Sequence, residues 1–174
     1  MLGQRGKRLE TDMFFKRSDF YPVIAPINGK VIALSDLDDP IFSGKVVGDG
    51  VAVIPSDGEV VSPVSGTVSI IAPTNHSYGI TAYDGTEILV HVGIETVKLN
   101  GRGFTPLITK GQHVDVGQPI CKFDLELIRN EGFNATTPVI ITSNSIDRVK
   151  RLTLRTGFVQ AGVSTCMLYA LEKR

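Results

Sequence analysis

The chain of 174 residues suits one domain, and at 42% hydrophobic and 21% charged it can bury a core of its own. Lys+Arg and Asp+Glu both number 18; a neutral chain with no basic block lacks the electrostatic footprint of a nucleic-acid binder. No apolar run approaches the roughly 20 residues that cross a bilayer and the N-terminus lacks a signal-peptide stretch, so the expected location is cytoplasmic.

Residues 1–19 stand apart. MLGQRGKRLETDMFFKRSD mixes Arg5, Lys7, Arg8, Lys16 and Arg17 with Glu10, Asp12 and Asp19 and has no strand period, which reads as a mobile tail or linker remnant ahead of one domain over 20–174. From Tyr21 on, short β-segments alternate with Gly, Pro, Asn and Asp: YPVIAP, GKVIAL, GVAVIP, GTVSIIAP, YGITAY, TEILVHV, PICKFD, TPVIIT and CMLYAL. Closely spaced short strands predict an all-β, antiparallel sandwich or barrel with minor short helices. DLELIRNEG is the one helical stretch, with Asp124 as N-cap and Gly132 as stop. VIAPINGKV (23–31) returns as VVSPVSGTV (60–68). In both, Pro breaks strand pairing and Gly permits a tight turn, so a duplicated β-corner is expected. KGQHVDVGQPI reads as another Gly-hinged hairpin. The two cysteines, Cys121 and Cys166, lie in apolar segments without CxxC spacing, which predicts buried, reduced thiols.

Three histidines are present: His76, His91 and His113. Asp84-Gly85 between two strand-like runs signals a two-residue hairpin. That turn pairs Tyr83 with Thr86 and sets His91 opposite Tyr78. His76 then shares a face with Tyr78 and lies diagonal to His91, with Cβ atoms about 7 Å apart or less; Thr74 extends the same face. Two imidazoles converging after the apolar run Ile88-Leu89-Val90 point to metal binding or chemistry. His113, in a polar Gly-rich turn, reads as merely exposed.

IFSGKVVGDGVAV, TNHSYGI and EILVHVGIETVKLNGRGF resemble the three signature blocks of the glucose-type IIA components of the bacterial sugar phosphotransferase system, over about residues 21–172. The resemblance implies an antiparallel β-sandwich. It implies that His91 is phosphorylated by the phosphocarrier protein HPr and passes the phosphoryl group to a cysteine of a permease IIB domain. His76 would support transfer, and Thr74 would hydrogen-bond the phosphoryl oxygens. The carbonyl of Gly93 would hold the other nitrogen of His91. Ile41, Phe42, Val46, Val47 and Leu89 would form an exposed apolar docking face, with Asp49 and Glu95 supplying negative charge for partner arginines. Glu95 departs from the Asp usual in many relatives. The resemblance calls for no cofactor and no metal, although His76 and His91 could capture adventitious zinc. Regulatory target enzymes or transporters are further partners it allows.

Other readings fit less well. A zinc peptidase of related fold needs a third ligand, commonly from a His-x-His pair; here Val92-Gly93 follows His91. A biotinyl or lipoyl carrier needs a lysine at a hairpin tip, where this chain has Asp84-Gly85. A purely regulatory scaffold would not need both histidines.

Overall fold

A computed structural model describes residues 19–173. The expected tail, apart from Asp19, lies outside the described residues. The order is β1 (Tyr21–Ile24), β2 (Gly29–Ala33), a 3-10 turn (Leu34–Asp36), α1 (Pro40–Ser43), β3 (Gly48–Pro55), β4 (Glu59–Val61), β5 (Gly66–Ile71), β6 (Ser77–Ala82) and β7 (Glu87–His91). A second 3-10 turn (Thr96–Leu99) follows, then β8 (Phe104–Pro106), β9 (His113–Val114), β10 (Pro119–Phe123), α2 (Leu125–Asn130), β11 (Thr137–Thr142), α3 (Ser143–Ile146), β12 (Val149–Leu154), β13 (Gly157–Val159) and β14 (Thr165–Leu171). The strands form an eight-stranded sheet, β13-β2-β3-β11-β7-β6-β5-β9, and two three-stranded sheets, β1-β14-β12 and β4-β10-β8. The expected antiparallel all-β architecture is what the chain adopts. Among the described residues no helix is long and apolar enough to cross a membrane.

The helix over 125–130 starts where its sequence dictates: the Asp124 carboxylate accepts from the Leu127 N–H at 2.9 Å, satisfying a donor the helix itself cannot. Strands β12 and β13 escape the sequence pattern. Both are edge strands, and the exposed Lys150 and Arg151 in VKRLTL mask an apolar period, as charge does on an edge.

The repeated segments pack against each other as a reciprocal pair. Ile24 donates to the Pro63 carbonyl at 2.9 Å, and its counterpart Val61 donates to the Pro26 carbonyl at 2.8 Å. Gly162 bonds the carbonyl of Ala25 at 3.0 Å as Gly117 bonds that of its counterpart Ser62 at 2.8 Å. Asn28 and Ser65 match again: their side-chain oxygens accept from Ala161 and Val116 at 2.7 and 2.9 Å. Proline leaves each corner free of a strand partner, so the two corners satisfy each other's backbone.

The inward rows of all three sheets meet in one core, with Val23, Val31, Val53, Ile80, Ile88, Ile120, Val139 and Met167 all but fully buried. A second, smaller core lies on the outer face of the large sheet. There the segment from Leu34 to Val47 folds over Ala52 and Ile140, burying Leu34, Leu37 and Phe42. Strand β11 is therefore buried on both faces along its whole length, which is why TPVIIT reads as a nearly continuous apolar run.

Gly50 lies between these two cores, and a Cβ there would stand 2.2 Å from the Val139 carbonyl and 3.0 Å from the Met167 sulfur. Gly50→Ala should destabilise the fold by about 1–3 kcal/mol through overpacking. Thermal unfolding checks this; an unchanged midpoint would contradict the tight approach of β3 and β11.

Candidate functional site

The β6–β7 hairpin carries the site, in a register one residue away from the expected one. Ala82 and Thr86 close the loop: Ala82 donates to the Thr86 carbonyl at 2.9 Å, and Gly85 donates to that of Ala82 at 2.9 Å. The turn is thus the three residues Tyr83-Asp84-Gly85, with Gly85 left-handed at φ +84°, a type I turn completed by a glycine bulge. Asp84 stabilises it by accepting from the Thr86 N–H at 2.8 Å. His91 consequently faces Ser77, and Val90 faces Tyr78.

A regular extension of β6 would send His76 to the face opposite His91. The strand instead begins at Ser77, and Asn75 is left-handed at φ +58°. His76 lies in this bend, where its carbonyl accepts from the Val92 N–H at 2.7 Å. The rings of His76 and His91 meet edge to face, centroids 4.8 Å apart and planes at 80°. The two histidines converge as the sequence suggested, through a bend instead of a shared strand face.

Each ring is held by its Nδ1. The Thr74 hydroxyl lies 2.7 Å from Nδ1 of His76. Nδ1 of His91 lies 2.8 Å from the carbonyl oxygen of Gly93. A carbonyl only accepts, so this bond places the proton of the neutral His91 ring on Nδ1 and leaves the lone pair on Nε2. Gly93 adopts φ +77°, and a Cβ there would lie 2.4 Å from Cγ2 of Thr96 and 3.1 Å from the Asn134 carbonyl. Glycine is what allows this carbonyl to turn back toward the ring.

Burial keeps both imidazoles neutral. His76 is pushed down to about 4 by desolvation and then by the neighbouring His91. His91 is lowered by desolvation, opposed by its bond to Gly93 and by the nearby Asp39 carboxylate. Among the described residues no His, Cys, Asp or Glu completes a group of three able to hold a metal.

Phe42 differs from expectation. Its ring is 6% exposed and packs edge-on against His91, centroids 4.9 Å apart. It is a core residue and a wall of the site, not part of an exposed docking face. The reason is local. Asp39 caps α1, its carboxylate accepting from Ile41 at 2.9 Å and Phe42 at 3.3 Å, and the short turn drives Phe42 onto the sheet while Ile41 points away. Ile41 and Val46 are exposed, at 51% and 67%, with Val97 at 49% beyond them. Val47 and Leu89 are half-buried against the small core. Asp49 pairs with Lys45 at 3.1 Å and Glu95 with Lys98 at 2.9 Å, both at the surface, where such pairs exchange readily. Asp39, whose charge reaches His91, was missed in the sequence; a capping Asp before Pro40 was its signal.

The remaining residues of interest lie elsewhere. His113 sits on edge strand β9, three strands from β7, with its Nε2 3.1 Å from the Tyr83 hydroxyl. Cys121 and Cys166 are free and buried, and burial pushes the Cys166 thiol up to about 12.

Known proteins resemble this chain along most of its length. The glucose-specific EIIA component of the phosphotransferase system (PTS) of Bacillus cereus is 46% identical over 121 residues, covering 70% of this chain and 73% of that protein. Its Staphylococcus aureus counterpart is 39% identical over 139 residues, 80% of this chain and 79% of the other. The PTS glucosamine-specific EIICBA component of Bacillus subtilis is 43% identical over 145 residues, which are 83% of this chain and only 23% of that longer protein. Among solved structures, the glucose permease IIA from Mycoplasma capricolum superposes with a TM-score of 0.78 at 32% identity, covering 85% of this chain and 95% of that one. Residues 21–146 match the family model for the phosphoenolpyruvate-dependent sugar phosphotransferase system, EIIA 1. The match takes in both histidines and the segment folded over them, and the chain belongs to that family.

Proposed function

We propose that the protein is a phosphoryl carrier that takes the group from phospho-HPr on Nε2 of His91 and hands it to a cysteine of a permease IIB domain. The observation that carries this reading is the bond between Nδ1 of His91 and the Gly93 carbonyl, which leaves Nε2 as the nucleophile. In uptake, the Nε2 lone pair forms the N–P bond as the bond from phosphorus to the donor breaks and its electron pair leaves with the donor. The ring, still protonated at Nδ1, becomes cationic, and its bond to the Gly93 carbonyl strengthens as a charged donor. In delivery, the acceptor thiolate forms the S–P bond and the N–P pair returns to Nε2, restoring the neutral ring.

His76 supports transfer without adding charge. In the tautomer protonated at Nε2, the Thr74 hydroxyl donates to Nδ1 of His76 and the Nε2 proton can bond a phosphoryl oxygen as charge shifts. The exposed Ile41 and Val46 form the apolar surface on which both partners dock, and Asp39, Asp49 and Glu95 surround it with carboxylates for partner arginines.

The assignment is tested with phosphoenolpyruvate, enzyme I and HPr. His91→Gln should take up no label. His76→Gln should still be labelled but pass the group on about tenfold more slowly or worse, the effect of losing about 1.4 kcal/mol from the transition state. Labelled His91→Gln would overturn the reading.

The docking face is tested separately. Val46→Asp should keep the thermal midpoint and weaken HPr binding about tenfold. Phe42→Asp should cost about 3–5 kcal/mol of stability, because it puts a carboxylate into the small core. A fully stable Phe42→Asp would contradict the burial seen here.

The pH behaviour follows from burial. His76 titrates at about 4 in the folded chain against 6.5 for a free imidazole. The unfolded state therefore binds this proton first, and the stability His76 contributes is lost as pH falls from about 6.5 through 4. Imidazole 15N spectra at about pH 6 should show His76 neutral; a protonated ring there would contradict the desolvation argument.

A further inference from the structure

The helper histidine stands on a bend. His76 follows Asn75, which is left-handed at φ +58°, a conformation that asparagine tolerates better than most non-glycine residues, so the exact direction of the bend is set by what holds it. Two backbone bonds brace the bend from the sheet side: Asn75 N–H to the Ala72 carbonyl at 2.8 Å and Val92 N–H to the His76 carbonyl at 2.7 Å. The third brace comes from below. Tyr78 is fully buried, its side chain in the main core, and its hydroxyl donates to the Asn75 carbonyl at 2.7 Å. The Cys121 thiol lies against the same hydroxyl. The peptide linking Asn75 to His76 is therefore tied at one end to a core side chain.

We propose that the Tyr78 hydroxyl is a positioning group for His76: by holding the Asn75 carbonyl it fixes the peptide that aims the helper imidazole at His91. Thr74, Asn75 and His76 form one turn: the Thr74 hydroxyl lies 2.7 Å from Nδ1 of His76, and the carbonyl that Tyr78 holds belongs to the peptide leading directly into His76, so a shift of that peptide changes the direction in which the His76 side chain leaves the backbone. Tyr78 touches neither ring and takes no part in the chemistry. The inference rests on the reading of His76 as the residue that supports onward transfer.

Tyr78→Phe tests it in the full chain, since it keeps the ring that fills the core and removes only the hydroxyl. Uptake from phospho-HPr should be unchanged, because the Gly93 bond to His91 is untouched. Onward transfer to the IIB domain should fall about fivefold, the scale of one buried hydrogen bond. In a His76→Gln background the same change should add no further slowing, because it acts through His76. A purely structural role would slow both backgrounds equally, and that result overturns the proposal, as does wild-type transfer by Tyr78→Phe. An independent readout needs no phosphoryl group. The two rings, 4.8 Å apart, should show a proton–proton Overhauser contact that weakens in Tyr78→Phe; an unchanged contact counts against the proposal. Labelling of His91→Gln, run alongside, would instead sink the carrier reading while leaving the ring contact to judge Tyr78.

Discussion

One hydrogen bond, from Nδ1 of His91 to the Gly93 carbonyl, governs what this site can do. It selects the tautomer, and so it selects which nitrogen holds a lone pair at neutral pH. It requires the chain to curl back within two residues of the end of β7, and the left-handed Gly93 meets that requirement. The curl is locked from outside: Ile94 donates to the Asn134 carbonyl at 2.8 Å, and the Thr96 hydroxyl donates to the Val92 carbonyl. Replacing Gly93 would press on Thr96 and Asn134 together, so the local backbone and the chemistry are one constraint.

The second layer is burial. Phe42 closes one side of His91 and His76 another, and the loss of water holds both rings neutral. Phe42 can do this because the Leu34–Val47 segment has its own small core on the outer face of the sheet. That segment serves two ends. Its inner residue Phe42 desolvates His91, and its outer residues, Ile41 and Val46, are left as apolar surface. Two imidazoles beside each other repel if both are charged, so neutrality is what lets them approach edge to face. Asp39 acts on His91 through its charge, while Asp49 and Glu95 hold surface ion pairs with Lys45 and Lys98; under the proposed carrier role these two would exchange them for partner arginines.

Much of this was legible in the residues. The β-segments, the Asp124 cap and the duplicated corner each rest on local chemistry that tertiary packing did not override. The convergence of His76 and His91 was legible too, although the register behind it was not. Asp84-Gly85 signals a two-residue turn, but Asp84 serves better bonded to the Thr86 N–H in a three-residue loop, and one added residue flips every side-chain pairing along the hairpin. The left-handed Asn75 then restores what the shift undid. Phe42 was misplaced for a related reason: in DDPIFSG the sequence shows two apolar neighbours, and only the helical turn started by Asp39 and Pro40 decides which points inward. Strands β12 and β13 were illegible because edge strands carry little apolar period. The two-residue turn would set Tyr78 opposite His91, whereas the register puts it opposite Val90 in the core; its bond to Asn75 emerges only once the bend is built.

The central claim is that Nε2 of His91, and no other nitrogen, carries the phosphoryl group. The most direct measurement is 31P–15N coupling in the phosphorylated chain with 15N-labelled imidazoles. Coupling to Nε2 of His91, with Nδ1 still protonated, is the result the proposed role predicts. Coupling to Nδ1 of His91, or to either nitrogen of His76, would contradict it.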